Sequence, residues 1–462
     1  MRDRLEAGPR SGRETIGPDL RTMSSSLLRK THSDILFRAV SAFAVVVALF
    51  VRWHGLASQS LWGDEGFTLW VSQLPPNQIW QVAQSDTSPP LYYLLLHFWI
   101  HWFGISETSL RGLSAFLESL CVPVFYLLAK KILGDQRAVT IAMSLFALCA
   151  FQVEYAQEAR FYGLLLFLSL ASVFSAIAFL EMGSISSFCC VALSLSAGLY
   201  THNMMLFYLP GIALLWLIYP SDQRIRQRSI WGLLCVAIVL LSYSPWIPSL
   251  RRQTQMVEKS FWVSRPTVEN VVESMFILSG FKQDPWSIPI QPGAVAGQFT
   301  WRTDGFLSMW SSSSRKATLL RSSVSAIMGL CLLGSLLKVP DANRKKVAAL
   351  VSYSFAPMAL AFLASRISQP VYLNRAFIAT SGIIPILFAA PHAFQTARLK
   401  RLFLVINLIA LIAVAATLFD FLRSAQKADW RGVTNYLVHQ PNERRKLLFA
   451  EALGRSYLNT IT

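Results

Sequence analysis

Charged residues are scarce in this 462-residue chain: Asp, Glu, Lys and Arg together make up 15% of it, whereas apolar residues make up 53%. Soluble domains carry about 25% charged residues. A soluble core cannot bury so much apolar surface, but a bilayer solvates the outside of each helix. Long apolar runs recur from Ile35 to Leu422. The composition therefore excludes an ordinary soluble protein and predicts an all-α, polytopic transmembrane protein.

Cysteine is also scarce, and its spacing excludes two further classes. The chain has six cysteines, all within apolar runs, and none has the Cys-x-x-Cys or Cys/His spacing of a metal site. We therefore expect neither a disulfide framework nor a cysteine-bound metal. The six are Cys121, Cys149, Cys189, Cys190, Cys235 and Cys331.

Acidic residues are outnumbered by basic ones, 25 against 42, which gives a formal net charge of +17. In a soluble protein this excess would suggest nucleic acid as a partner. Here the basic residues lie in short loops between apolar runs, and no basic patch with interleaved aromatics stands apart. The positive-inside rule accounts for this pattern, so membrane lipids and no nucleic acid are the expected partners.

The apolar runs divide the chain into three parts. Residues 1–34 are polar and basic and are expected to be a disordered cytoplasmic N-terminus. Residues 35–425 form the predicted transmembrane domain. Its first run, 35–51, has no small-residue cleavage site after it and is interpreted as an uncleaved span. Residues 426–462 are a short tail. Further runs lie at 110–133, 139–153, 161–182, 188–200, 204–219, 230–247, 319–337, 347–364, 376–394 and 402–421.

The loops between these runs alternate in charge. Basic loops match the basic N-terminus and are predicted to face the cytoplasm. The outer loops are then 54–109 and 251–317, together with the junctions at 154–160, 201–203 and 366–375, and the tail lies on the same side. This alternation requires that residues 90–104 do not cross the membrane. We therefore expect a re-entrant or interfacial helix there, with Ser106 capping the next helix, and about eleven spans; twelve is the competing count. The basic residues are Lys130, Lys131, Arg137, Arg224, Arg226, Arg228, Lys338, Arg344, Lys345, Lys346, Arg398, Lys400 and Arg401.

The first outer loop contains residues suited to chemistry. Asp64 and Glu65 are adjacent acids that follow Trp62. Such acids are often merely solvated, and a tryptophan at this depth is often an interfacial anchor. Farther on, Glu158 and Arg160 stand at an outer helix junction, where they either pair with each other or serve a function. Ionisable groups at membrane depth are costly and are often functional.

A set of ordered motifs resembles the bacterial glycosyltransferase family 39-like proteins. These are relatives of the dolichyl-phosphate-mannose–protein mannosyltransferases and of the lipid A aminoarabinose transferase, within the GT-C superfamily. Most of the chain from Ile35 onward takes part in the resemblance, and it is the order of the motifs that is specific. The motifs lie at 61–65, 88–97, 103–111, 157–162, 200–202, 372–375 and 429–433.

The resemblance implies a glycosyltransferase that takes a sugar from a polyprenyl-phosphate donor and passes it to a glycan, lipid or protein acceptor. Asp64 is the expected base of a single inverting displacement, and Glu65 would orient Asp64, the acceptor or a metal. Arg160 and Arg375 would neutralise the departing phosphate. The remaining expected site residues are Glu158, Tyr162, His202 and Tyr372 for the donor, and Asp86 and Trp62 for the acceptor loop.

Three points of the resemblance are left open. A divalent cation, Mg or Mn, held by Asp64 and Glu65 would also polarise phosphate oxygens, but the acids present permit such a site without requiring it. The family often has a histidine where this chain has Ser88, so any role of that histidine is not carried over. His202 fits either a ligand to sugar or phosphate or an interfacial histidine.

The long outer loop, 251–317, has two interpretations. Its tryptophans would either stack on the donor as a lid or hold the loop at the lipid headgroups. Residues 311–314 are four serines, typical of a flexible linker. The tryptophans are Trp262, Trp286, Trp301 and Trp310.

Three other functions compete with the transferase. A flippase for lipid-linked sugars, or another secondary transporter, predicts charges at mid-helix and internal repeats. A polysaccharide ligase would centre the resemblance on a late outer loop. A non-catalytic scaffold would not need Asp64.

Overall fold

The computed structural model describes residues 20–260, 265–284, 339–368 and 370–423, parts of 329–336, and the single residues Lys427 and Arg431. Side chains are described from residue 34, and those of residues 257–260 are not. The predictions for residues 1–19, for Trp262, Trp286, Trp301 and Trp310, for the serine run and for the rest of the tail lie outside these residues. So does most of the predicted run 319–337.

Every regular element in the described part of the chain is a helix. The first half contains α1 (Leu20–Trp53), α2 (Gly63–Ser72), α3 (Pro76–Ser85), α4 (Leu91–Phe103), α5 (Glu107–Leu133), α6 (Gln136–Leu148), α7 (Ala150–Ala156), α8 (Tyr162–Met182), α9 (Ile185–Thr201) and α10 (Met205–Ile218). The second half contains α11 (Ile225–Tyr243), α12 (Ile247–Ser260), α13 (Val268–Leu278), α14 (Asp341–Ile367), α15 (Ile378–Ser381), α16 (Ile384–Phe394) and α17 (Ala397–Arg423). The predicted all-α class is confirmed.

The helices identify a multi-pass membrane protein. Seven helical segments of the described chain are long and apolar enough to cross a bilayer, and the bent pair α6–α7 would make eight. The predicted eleven or twelve crossings are not reached in this part, because α9 and α10 are shorter than a full span and most of the predicted run 319–337 lies outside the described residues. The bend of 52° falls at Cys149, whose extended backbone interrupts the helix. The seven are Asp34–Trp53, Glu107–Leu133, Tyr162–Met182, Ile225–Met256, Asp341–Ile367, Asn374–Phe394 and Ala397–Arg423.

The first helix begins earlier than predicted. It starts at Leu20 rather than near Ile35, so the last part of the segment expected to be disordered is helical. The sequence between these two residues contains neither proline nor glycine, and nothing in it stops the helix.

The first outer loop folds into three short helices, as predicted for a segment that does not cross. Helix α4 has 13 residues, which corresponds to about 20 Å, whereas the hydrocarbon core is about 30 Å thick. Pro90 precedes its first turn, and Gly104 ends it with a φ of 75° that favours glycine. His97 of α4 contacts the Ser72 carbonyl of α2 at 2.9 Å, which ties these two helices together.

The site described below and the basic loops lie at opposite ends of α5. Its 27 residues give it a length of about 40 Å. At its carboxyl end, Lys131 pairs with Glu181 of α8, and Lys400 lies 3.9 Å from Asp135. At its amino end, Arg111 contacts the first outer loop. The helix bundle is therefore asymmetric along its long axis.

A buried ion pair joins α1 to α5. The Nε of Arg52 donates to Glu118 at 3.1 Å, and both side chains are 0% exposed. A second guanidinium nitrogen of Arg52 donates to Gln152 at 3.0 Å, and Gln152 in turn donates to the Ser381 carbonyl at 3.1 Å. This network fixes α1, α5, α7 and α15 to one another, because a buried charge must keep its partner.

Replacing Glu118 by alanine is expected to destabilise the fold, since Arg52 would be left buried without its counterion. Removal of one partner of a buried pair costs about 3–5 kcal/mol. Thermal unfolding in detergent measures the effect. Asp341→Ala is the matched control, because the pairs of Asp341 with Arg344 and Lys345 are exposed. Equal melting temperatures for the two variants would contradict the bracing role.

Candidate active site

Two adjacent acidic residues lie in the first turn of helix α2, and their side chains differ in burial. Trp62 caps the helix with extended backbone, and its amide donates to Glu65 at 3.3 Å. Negative charge is favourable at a helix amino terminus. Glu65 is fully buried, whereas the Asp64 side chain is 25% exposed. One acid therefore belongs to the protein interior and the other to the site.

Glu65 is held by Arg111 in a bidentate pair. The Nε and Nη2 of Arg111 donate to its two oxygens at 2.8 and 2.7 Å. The amide of Ala159 donates to the same carboxylate at 2.9 Å, and the Lys427 ammonium does so at 3.2 Å. Burial raises the pKa of Glu65, but Lys427, Arg111 and the Ala159 amide outweigh it and lower the pKa to about 2.

Arg111 also organises the loop before α2. Its Nη1 donates to the carbonyls of Leu56 and Gln59 at 2.6 and 2.7 Å, and its Nη2 donates to the Ser60 carbonyl at 2.9 Å. One guanidinium thus fixes the loop and the first turn of α2 on the amino end of α5. The sequence offered a signal for this residue, because Arg111 is a charge within a predicted apolar run.

The predicted role of Glu65 changes accordingly. Its two oxygens are engaged by Arg111, Lys427 and two backbone amides, which leaves no capacity for an acceptor or a metal. Glu65 is joined to Asp64 through the backbone of α2.

Asp64 lies between two arginines that are remote in sequence. Its Oδ2 is 3.6 Å from Nη2 of Arg160 and 3.9 Å from Nη1 of Arg375. The three residues come from α2, from the turn before α8 and from the short 3-10 helix Asn374–Phe377. The structure thus brings together the predicted base and both predicted phosphate ligands.

Arg160 is buried but loosely bonded. Its Nη1 lies 3.3 Å from the Thr68 hydroxyl and 3.4 Å from the Asp64 carbonyl, and its guanidinium stacks 4.8 Å over Phe161. Its Nε has no hydrogen-bond partner among the described residues. Although burial disfavours the charge, Asp64 holds the pKa of Arg160 above its ordinary value. The guanidinium is therefore charged and has a donor to spare.

The backbone of Arg160 is fixed by neighbouring helices. The Ser114 hydroxyl donates to the Arg160 carbonyl at 3.0 Å. Because that hydrogen is committed, the Tyr92 hydroxyl donates to Ser114, at 2.7 Å. Gly163 permits this close approach, since a Cβ there would lie 2.9 Å from the Ser114 carbonyl oxygen. The backbone of Arg160 is thus held in a fixed position at the start of α8.

Glu158 and Arg160 do not form an ion pair with each other. Glu158 lies 3.8 Å from the Lys427 ammonium, whereas Arg160 faces Asp64. Burial raises the pKa of Glu158, and Lys427 only partly offsets that effect. One carboxylate oxygen of Glu158 has no partner in the described part of the chain. Nothing in the sequence pointed to Lys427.

His202 has a defined tautomer. Its Nδ1 accepts the Met204 amide at 3.0 Å, so the ring proton of the neutral imidazole is on Nε2. Burial lowers the pKa of His202, and Arg160 and Arg375 lower it further, to about 3. The ring packs against Phe161 with 4.7 Å between centroids. His202 is therefore a neutral Nε2–H donor beside the two arginines.

Two predicted tyrosines lie on the Arg375 side of the site. The Tyr162 ring is 6.0 Å from the Arg375 guanidinium. Tyr372 is buried, and its hydroxyl has no partner among the described residues. Tyr372 packs on Phe377 at 4.8 Å between ring centroids.

Asp86 and Trp62 stand apart from the Asp64 ion pairs. Asp86 accepts the Ser88 amide at 3.3 Å and the Tyr93 hydroxyl at 3.1 Å, so it fixes the turn that leads into α4. Burial, and next the nearby Asp86 charge, raise the pKa of Tyr93. The indole N–H of Trp62 is buried and finds no acceptor in the described residues.

A divalent cation held by Asp64 and Glu65, which the sequence left open, does not fit the geometry. Asp64 faces two guanidinium groups, and Glu65 is bound by Arg111 and Lys427. These positive charges repel a cation. Among the described residues, no group of three or more His, Cys, Asp or Glu side chains is placed to hold a metal. The positive groups favour an anionic ligand instead.

Comparison with known proteins agrees with the resemblance noted in the motifs. Residues 87–248 match the family model described as dolichyl-phosphate-mannose-protein mannosyltransferase. This region is shorter than half of the chain; it contains Arg160 and His202 but neither Asp64 nor Arg375. No curated protein matches the sequence.

Solved structures share the fold. The archaeal oligosaccharyltransferase AglB from Archaeoglobus fulgidus, in complex with an inhibitory peptide and a dolichol-phosphate, superposes with a TM-score of 0.53 at 12% identity; the match covers 88% of this chain and 58% of that one. ArnT from Cupriavidus metallidurans bound to undecaprenyl phosphate gives 0.49 at 13% identity, covering 81% and 62%. The chain thus spans little more than half the length of the oligosaccharyltransferase. It shares the membrane fold of that oligosaccharyltransferase, and its residues 87–248 resemble the dolichyl-phosphate-mannose-protein mannosyltransferases.

Proposed function

We propose that the protein is a membrane glycosyltransferase that moves a sugar from a polyprenyl-phosphate donor to an acceptor hydroxyl. One observation carries the proposal: the Asp64 carboxylate lies between Arg160 and Arg375 at one end of the bundle. This site joins a base to two groups that bind phosphate. The dolichol-phosphate bound to the archaeal oligosaccharyltransferase supports this class of donor.

The reaction is a single displacement with inversion. The acceptor oxygen attacks the anomeric carbon while the bond from that carbon to the phosphate oxygen breaks. Asp64 accepts the hydroxyl proton, and the polyprenyl phosphate leaves with the bonding electrons. General-base catalysis of this kind contributes roughly 10²- to 10⁴-fold to the rate. The phosphate is a good leaving group at neutral pH, so the mechanism requires no strong acid.

Arg160 and Arg375 neutralise the leaving phosphate. Guanidinium groups bind phosphate oxygens in a fixed fork, and such contacts are strong in a water-poor site. The Nε2–H of His202 and the hydroxyl of Tyr372 supply neutral donors for the phosphate or the sugar. Glu158 and Tyr162 line the same region, whereas Asp86 and Trp62 shape the first outer loop on the acceptor side.

The site faces the extracytoplasmic side in this proposal. The basic residues at the far end of α5, such as Lys131, follow the positive-inside rule and assign that end to the cytoplasm. The N-terminus then lies in the cytoplasm, and the protein resides in the cell membrane. The acceptor is a glycan, lipid or protein hydroxyl on the outer side.

Purified protein in lipid nanodiscs tests the proposal. In the presence of an envelope fraction that supplies the acceptor, we expect polyprenyl-phosphate sugars to be consumed in step with release of polyprenyl phosphate, equally with and without a chelator. Mass spectrometry of envelope glycans from a deletion strain is expected to show one missing sugar and thereby identify the acceptor. Intact donor after incubation with the envelope fraction that supplies that acceptor would refute the proposal.

Substitutions at His202 separate its two ring nitrogens. His202→Asn keeps an acceptor for the Met204 amide but removes the Nε2–H donor, so we expect activity to fall roughly 10- to 100-fold, as for a lost hydrogen bond to a charged group. His202→Gln places an amide N–H near Nε2 and is expected to retain more activity. Steady-state transfer rates measure both. The reverse order would show that the contact with Met204 is what matters.

A further inference from the structure

Two carboxylate–arginine pairs lie next to each other in this site and differ in their nitrogen–oxygen distances. Arg111 grips Glu65 with nitrogen–oxygen distances of 2.8 and 2.7 Å. Asp64 lies 3.6 Å from Arg160 and 3.9 Å from Arg375, beyond hydrogen-bonding distance in both cases. Both oxygens of Glu65 thus accept hydrogen bonds from Arg111, whereas Asp64 is ion-paired with its arginines without a hydrogen bond to either.

In the pair of Asp64 with Arg160, the guanidinium donors of Arg160 also lack close acceptors among the described residues. All contacts of the Arg160 guanidinium nitrogens to oxygen are 3.3 Å or longer, and its Nε has no partner among the described residues, although the residue is 8% exposed. Buried donors without good acceptors are costly. A tetrahedral anion with several oxygens would fill these donors better than one carboxylate.

We propose that Asp64 is a displaceable counterion, which occupies the phosphate site of Arg160 and Arg375 until the donor phosphate takes its place. The inference rests on the proposed function. Displacement releases Asp64 from its two cations at the moment when the phosphate arrives. The carboxylate is then available to the acceptor hydroxyl only when donor is bound.

The same exchange favours product release. The donor phosphate is a diester with one negative charge, whereas the product is a monoester that can carry two, so the arginines hold the product more tightly. Asp64 is neutral immediately after it accepts the acceptor proton. Once it loses that proton to solvent it is again a carboxylate, and it competes with the product for Arg160 and Arg375.

Binding of farnesyl phosphate, a soluble polyprenyl phosphate, to the full chain in detergent tests the exchange. Asp64→Asn removes the competing charge and is expected to bind at least tenfold more tightly than the wild type. Asp64→Glu carries its carboxylate one methylene farther, into hydrogen-bonding distance of the arginines, and is expected to bind more weakly. Calorimetry measures the three affinities, and the melting temperature of each variant confirms that it is folded.

Asp341→Asn is the matched control. Asp341 is an exposed carboxylate that pairs with Arg344 and Lys345, away from the site, and its loss is expected to change the affinity less than threefold. Equal or weaker binding by Asp64→Asn would overturn the exchange. Activity is scored separately: tighter binding by an Asp64→Asn variant that still transfers sugar would support the exchange and refute the role of Asp64 as base.

Discussion

Asp64→Asn is expected to lower kcat by roughly 10²- to 10⁴-fold, the contribution of a positioned general base. The amide has the same size and keeps the backbone contact in which the Thr68 hydroxyl donates to the Asp64 carbonyl at 2.8 Å. It cannot accept the acceptor proton. The KM for the donor is not expected to rise, because Arg160 and Arg375 keep their positions.

The control for this experiment is an acid away from the site. Asp341→Asn removes an exposed carboxylate that pairs with Arg344 and Lys345, and its kcat is expected to stay within tenfold of the wild type. Both variants are assayed over a range of donor and acceptor concentrations. An Asp64→Asn enzyme with nearly full kcat would show that another group accepts the proton.

Arg111→Lys is expected to have the second largest effect, although Arg111 is far too enclosed to meet the substrate. Its guanidinium makes two bonds to Glu65 and three to loop carbonyls. A lysine ammonium has three donors and no planar fork, so it cannot reproduce this set. Lysine keeps the positive charge, so the cost comes from buried carbonyl and carboxylate oxygens left without a donor, about 1–3 kcal/mol for each such group.

The loss of activity in Arg111→Lys is expected to exceed the loss that follows from a smaller folded fraction. With the loop released, Asp64 loses its fixed distance from the arginines, and we expect kcat per folded molecule to fall at least about tenfold while donor binding persists. Thermal unfolding and kinetics with matched amounts of folded protein measure the two parts. Arg344→Lys, at an exposed pair with Asp341, is the control. Normal kcat in folded Arg111→Lys would contradict the positioning role.

The pH dependence of stability reports on the same pair. The pKa of Glu65 is about 2 in the folded protein, against an ordinary value of 4.5. Between these values the unfolded chain binds more protons, so this stabilisation is complete above about pH 4.5 and is lost as the pH falls toward 2. Glu65→Gln is expected to remove this component.

Much of the site could be predicted from the sequence. The motif at Asp64 and the loop charges together placed Asp64, Arg160 and Arg375 on one face, and the structure brings them within 4 Å. The sequence could not predict which of Asp64 and Glu65 is buried and which faces Arg160 and Arg375. Adjacent residues on a helix point in different directions, and the motif does not show which direction is inward. Only the packing of α5 shows which of them meets Arg111.

Other features depended on contacts that the sequence does not encode locally. Glu158 and Arg160 are two positions apart, which suggested pairing, but Lys427 and Asp64 are the groups they face. The bend at Cys149 lies inside a run that reads as one continuous span. In each case tertiary packing overrides the local pattern.

Transport and transfer are distinguished most directly by following a labelled polyprenyl-phosphate sugar in proteoliposomes with acceptor-containing envelope extract outside. The sugar and the lipid carry separate labels. Our account predicts that the sugar label leaves the lipid and appears on the acceptor in wild-type vesicles but not in Asp64→Asn vesicles. Movement of intact doubly labelled donor across the bilayer, with no cleavage in either, would contradict it and identify a flippase.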